Sequence, residues 1–167
     1  MVKMAEILEG VEIVNRYGLF IKRLKTLVIA DLHIGYEAAL EKQGIMMPKS
    51  QYSKIKKMVE EMVEEKKPQR LIINGDLKHE FGEATRQEWK ETLDFLDFVQ
   101  SKGMELVIVR GNHDNFLIPI LKKRNIELED PHYLLNEFLF FHGHRNVDLK
   151  VLSDNRIYYK FKDWIKK

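Results

Sequence analysis

The sequence contains no cysteine, which excludes disulfide frameworks, zinc ribbons and thiol catalysis. It also lacks an excess of either charge. Its 28 Lys+Arg stand against 26 Asp+Glu, leaving a formal net charge of +2. That balance argues against a basic nucleic-acid sleeve. With 44% apolar residues it also argues against a disordered chain, which needs low hydrophobicity and strong net charge. No apolar run approaches the roughly 18 residues of a membrane span. The first residues, Met1-Val2-Lys3-Met4-Ala5-Glu6, put an acid where a secretion signal needs an apolar stretch. The expectation is a cytoplasmic protein with no membrane partner. The four prolines and nine glycines gather into no linker, and 167 residues suit one domain, residues 1–167. Lys and Glu are abundant, a thermophile-like composition.

The apolar pattern alternates between short runs and helical stretches. Val11–Val14 and Leu19–Ile21 flank Arg16-Tyr17-Gly18 and predict a hairpin. Thr26–Ala30, Leu71–Ile73, Leu106–Val109 and Phe138–Phe141 are runs of the buried-strand type. Ile55, Met58, Val59, Met62 and Val63 recur with helical spacing and predict a helix over about Gln51–Glu65. Thr85 and Glu88 have capping-box spacing and open a helix carrying Trp89, Leu93, Leu96 and Val99, stopped at Gly103. A short helix over Phe116–Arg124 has to accommodate Pro119. Strand alternating with helix is the α/β pattern.

Polar residues follow each buried run: Asp31-Leu32-His33, Asn74-Gly75-Asp76, Gly111-Asn112-His113-Asp114 and His142-Gly143-His144. In α/β sheets ligands bind beyond the carboxyl ends of strands, so four successive strands are expected to deliver these groups to one rim. Of the six histidines, four lie in these motifs, His79 lies three residues past Asp76, and only His132 lies elsewhere. In an extended segment residues i and i+2 point the same way, so Asp31 and His33 are expected to grip one ion together. Asp76 can bridge two ions, Asn112 offers a carbonyl oxygen and His142 a ring nitrogen. Such a mixed donor set suits Mn, Fe, Zn or Ni better than Ca. Gly75 and Gly111 are expected to turn the backbone through positive φ. Asp-x-His alone is common and Gly-Asp is ordinarily a turn. No turn requires the His of Gly-Asn-His-Asp.

These motifs resemble the calcineurin-like metallophosphoesterase family: Asp-x-His, Gly-Asp, Gly-Asn-His-Asp and a strand ending in His-Gly, over about residues 25–145. Ala30–Glu37, with Gly44, Pro48 and Gly75-Asp76-Leu77-Lys78-His79, is similar to the branch of predicted phosphoesterases associated with DNA ligases and helicases. The resemblance implies a β-sandwich flanked by helices, in α-β-β-α layers, with two divalent ions at one end, Mn foremost. By the family pattern Asp31 and His33 hold one ion, Asp76 bridges, and Asn112 and His142 hold the other. His113 matches the general acid, with Asp114 expected to orient its ring. The pair of ions activates a water for attack on a phosphate ester, with nucleic acid a candidate substrate. His79, His144 and Arg145 are further candidates for metal or substrate contact.

One family motif is missing. The last Gly-His-x-His should follow His142, yet the sequence has no Gly after Gly143 and no His after His144. Residues 146–167 are atypical of the pattern. The expectations are one fewer imidazole for each ion, low metal occupancy, and an incomplete second sheet. Ile157–Phe161 or a homodimer partner would cover its edge. A weakened or inactive remnant serving as a binding or structural protein is the alternative reading. The intact His113-Asp114 pair speaks against it.

Overall fold

The computed structural model describes residues 6–146. The strands are β1 (Glu6–Leu8), β2 (Val11–Val14), β3 (Gly18–Ile21), β4 (Thr26–Ile29), β5 (Arg70–Asn74), β6 (Glu105–Val109), β7 (Leu128–Glu129), β8 (Tyr133–Leu135) and β9 (Phe138–Phe140). The helices are α1 (Tyr36–Lys42), α2 (Gln51–Lys66), α3 (Arg86–Ser101) and α4 (Ile118–Lys122). The first seven strands form one mixed sheet in chain order. β1 to β4 are joined antiparallel, and β4 to β7 run parallel.

Alternation along the central strands fills both faces. Leu27, Ile29, Leu71, Ile73 and Ile108 pack with Val59, Met62 and Val63 of α2, Phe95, Leu96 and Val99 of α3, and Ile120 and Leu121 of α4. Val28, Ile72, Val107 and Val109 face the other way, against Tyr133, Leu135, Phe138 and Phe140 of the β8–β9 hairpin. A strand buried on both faces needs apolar residues at every position, which is why these runs show no polar alternation.

The predicted hairpin is present, its turn closed by the Tyr17 N–H on the Val14 carbonyl at 3.1 Å. α2 and α3 lie where helical spacing puts them, and α3 is capped by the Thr85 hydroxyl, which accepts the Glu88 N–H at 3.0 Å. The stretch around Pro119 divides into a 3₁₀ turn at Asp114–Phe116 and α4, with Pro119 in the first turn, where its missing N–H costs nothing.

The fourth run departs from expectation. Phe138–Phe140 does not extend the main sheet; it pairs antiparallel with β8 to form the second, two-stranded sheet. The fourth parallel strand is β7, whose two residues are too few to read from a pattern. α1 was also not anticipated. The described part of the second sheet has two strands, and Ile157–Phe161 lies outside the described residues.

Candidate metal centre and acid site

The loops after β4 and β5 continue as neighbours past the sheet. The Asp31 N–H donates to the Gly75 carbonyl at 3.1 Å, His33 to Asp76 at 3.0 Å and Ile34 to Leu77 at 2.9 Å. The path is not extended as the i, i+2 argument assumed. Asp31, His33 and Asp76 all take positive φ, at 56°, 45° and 55°. For a non-glycine residue that conformation costs about 1–2 kcal/mol. Three such residues at one place are strain of the kind folds tolerate at working sites.

Asp76 is the centre of the site. It is buried, and its Oδ1 accepts the His113 backbone N–H at 2.9 Å. Its Oδ2 lies 3.3 Å from His142 Nε2, 3.8 Å from His33 Nε2 and 3.9 Å from His113 Nε2. Glycines make this proximity possible. A Cβ on Gly111 would lie 2.1 Å from Asp76 Oδ1, and one on Gly75 would lie 2.2 Å from His142 Nδ1. Gly75 has the expected positive φ, at 93°, but Gly111 is absent from the positive-φ glycines. Gly111 is required for close approach rather than for its backbone angle.

His142 reaches the rim from the second sheet. Asn74 Nδ2 donates to the Phe141 carbonyl at 3.1 Å, and His142 Nδ1 meets the Asn74 carbonyl at 3.0 Å. A ring donating through Nδ1 has Nε2 free as an acceptor, the arrangement of a metal-ligating histidine. That Nε2 faces Asn112 Oδ1 at 3.1 Å as well as Asp76 Oδ2. A carboxylate, an amide oxygen and a ring nitrogen thus converge, a set of atoms that fits a cation once Nε2 carries no proton. The donor atoms of Asp31, Asp76 and His142 lie within 4.8 Å of one another, as do those of His33, His79 and His113. Asp31 thus clusters with Asp76 and His142, with Asn112 beside them, while His33 falls with His79 and His113 rather than with Asp31 as expected.

His113 and Asp114 divide their work differently from expectation. The His113 Nδ1 bonds to the His79 carbonyl, so that carbonyl orients the ring. Asp114 is fully buried and accepts backbone N–H groups from Asp76 and Gly111 at 2.8 Å each, Leu77 at 3.1 Å and Lys78 at 3.4 Å. It clasps the β5 and β6 loops together. Burial pushes its carboxyl above the usual range, while those N–H groups hold it down.

The 77–82 loop is held by buried charged groups. Lys78 is fully buried, and its ammonium donates to the carbonyls of Glu80 and, at 3.2 Å, Gly82. Burial lowers its pKa; the nearby carboxylates of Glu88, Asp114, Glu80 and Asp76 oppose this. Glu88 does not complete a reciprocal capping box through Oε1, which accepts the N–H groups of His79 at 2.8 Å and Glu80 at 2.9 Å. His79 contacts His33, with Nδ1 atoms 3.4 Å apart. Its ring is pushed below its ordinary pKa by burial first and by His33 and His113 next. The capping-box spacing was the available signal for Glu88; none marked its second task.

Two candidates stand apart. His144 is exposed, its ring centroid 5.6 Å from that of His142, and partial desolvation, followed by the neighbouring His142 and Arg145, lowers its pKa. Arg145 is turned to Asp130, with Nη1 at 3.2 Å from Oδ1. Arg110 binds the same carboxylate at 2.6 Å.

Among solved structures, the nuclease MPE of Pseudomonas putida aligns with a TM-score of 0.60 at 19% identity. The alignment covers 75% of this chain and 57% of that one, so the chain spans little more than half the length of that nuclease. At this identity the likeness is one of fold. A comparison with curated proteins yields no match. The family model for calcineurin-like phosphoesterases matches residues 24–167, beyond the 25–145 stretch that carries the motifs. The chain belongs to the calcineurin-like phosphoesterase family.

Proposed function

We propose that this protein is a metal-dependent phosphodiesterase acting on nucleic acid, of the ligase- and helicase-associated branch. One observation carries the reading: four loops from two sheets bring acceptor groups of Asp31, Asp76, Asn112 and His142 onto one point, with His113 Nε2 beside it. Asp31, His33, Asp76, Asn112 and His142 are the residues to hold two divalent ions, Mn²⁺ foremost. When bound, such ions polarise phosphoryl oxygens and supply hydroxide at neutral pH.

The protein's own part is proton delivery. With Nδ1–H donated to the His79 carbonyl, the tautomer is set and Nε2 is the nitrogen that gains and loses a proton. Protonated at Nε2, His113 donates to the departing ester oxygen, so that an alcohol leaves rather than an alkoxide. Asp76 keeps the residue in register through its bond to the His113 N–H.

The test is hydrolysis of a phosphodiester during Mn²⁺ titration. Asp76→Ala should abolish both metal binding and turnover. His113→Ala should keep metal binding, read by calorimetry, and lose about 10²–10⁴ in kcat. Loss of metal from the His113 variant would make it a ligand and end the acid assignment. Metal-free, full-rate hydrolysis would overturn the reading altogether.

A further inference from the structure

Phe81 is out of place for an apolar side chain. It is 55% exposed, yet its ring lies 3.8 Å, centroid to centroid, from that of His113, tilted by 31°. Exposure of this kind usually belongs to a wandering loop tip, but this loop is held. The buried Lys78 ammonium grips the carbonyls on both sides of Phe81, those of Glu80 and Gly82. The buried Glu88 carboxylate grips the N–H groups of His79 and Glu80. Outside, Lys42 pairs with Glu80 at 3.7 Å. Two buried charges thus fix the backbone that presents one phenyl ring to solvent, directly over the proposed proton donor. Tyr36, 40% exposed, stands edge-on to His79 at 4.8 Å, giving the histidine cluster a second aromatic margin.

We propose that Phe81 is a stacking platform for an unpaired nucleobase of the substrate, adjacent to the ester bond that His113 serves. This rests on the phosphodiesterase reading and names what that site recognises. A planar base suits the exposed phenyl because every base has a π-face, so stacking binds without choosing a sequence. The described surface also favours aromatic over ionic recognition at this place. Lys42 is committed to Glu80, Lys78 to backbone carbonyls and Arg145 to Asp130. A base still paired within a duplex offers its neighbours, not a protein, its faces, so the platform selects ends, gaps or single strands.

The experiment compares a short single-stranded oligonucleotide with the same strand made abasic. Wild type should cut the intact strand about 10-fold or more better in kcat/KM. Phe81→Leu, which keeps apolar bulk but not the π-face, should bring that ratio close to one, and Phe81→Trp should preserve it. A binding readout needs no turnover. With chelator present, the added fluorescence of Phe81→Trp over wild type should be quenched by the intact strand and not by the abasic one. An unchanged ratio in Phe81→Leu, or equal quenching by both strands, overturns the platform. If neither strand is cut while quenching still discriminates, the platform stands and the hydrolytic reading falls. If wild type and Phe81→Leu cut with the same preference, hydrolysis stands and the platform falls.

Discussion

Asp114 shows how a motif residue can be recognised for the wrong work. Beside a presumed acid, a carboxylate invites the role of ring orienter, but both its oxygens are spent on four backbone N–H groups. Asp114→Asn keeps the size and replaces one acceptor with a donor that faces N–H groups. Leaving buried donors unsatisfied costs about 1–3 kcal/mol, so the urea midpoint should fall. His113→Ala should leave that midpoint nearly unchanged. A ring-orienting role for Asp114 would instead lower kcat without moving the midpoint. Gly111→Ala is a second test at this scale. Its Cβ would collide with Asp76 Oδ1 and N, so metal affinity should drop although the backbone angle tolerates alanine.

At the scale of elements, α3 is both a core helix and a support for the site. Its cap is the Thr85 hydroxyl, and Thr85→Ala should cost about 1 kcal/mol in chemical denaturation. Glu88, three residues on, reaches out of the helix to hold the backbone of His79 and Glu80. Glu88→Gln retains an acceptor oxygen and should keep much of the activity, whereas Glu88→Ala releases the loop and should lower kcat by more than Thr85→Ala does. Equal activity in the two Glu88 variants would show that the loop holds its shape without them. Ion pairs join these elements as well. Lys56 pairs with Asp94, Lys66 with Glu12, Arg70 with Glu105 and Arg124 with Asp97. They tie helices and strands to one another.

For the whole molecule, acid should be the sensitive side. Glu12 sits well below its ordinary value of 4.5, chiefly through Lys66 and then Lys22. Asp94 and Asp97 are lowered by Lys56 and Tyr52, and by Arg124. A depressed carboxyl stabilises the fold above its unfolded pKa and loses that contribution as pH falls through the folded one. These carboxylates should therefore withdraw stability below about pH 4.5, after an earlier loss that begins near pH 6.5, where the lowered rings of His79 and His144 must take up charge, and Glu12→Gln should flatten the carboxylate part of that decline. Metal is a separate matter. The two apolar clusters are built without it, and an ion stabilises only by RT ln(1 + [L]/Kd). Chelation should abolish hydrolysis while leaving the far-ultraviolet circular dichroism intact; unfolding on chelation would show the ions to be structural. No helix among the described residues is long and apolar enough to cross a membrane.

Much of this protein was legible in one dimension. Buried strands announce themselves because both faces need apolar side chains. α2 and α3 do so because one face repeats with helical spacing. The motifs around Asp31, Asp76, Asn112, His113 and His142 are local strings, each placed directly after a buried run. The rest depended on distance in space rather than along the chain. Two-residue β7 is set by pairing with β6, not by its own residues. β9 lies in the second sheet because Phe138 and Phe140 find the apolar face of Ile72 and Val107, and a strand's pattern does not say which sheet buries it. The left-handed backbone at Asp31, His33 and Asp76, the turn of Asp114 toward backbone N–H groups, and Phe81 against His113 all arise from contacts between separate loops. Sequence determined the family and which polar side chains follow the buried strands; packing of the loops decided which atom faces which, because those contacts exist only once the sheets have brought the loops together.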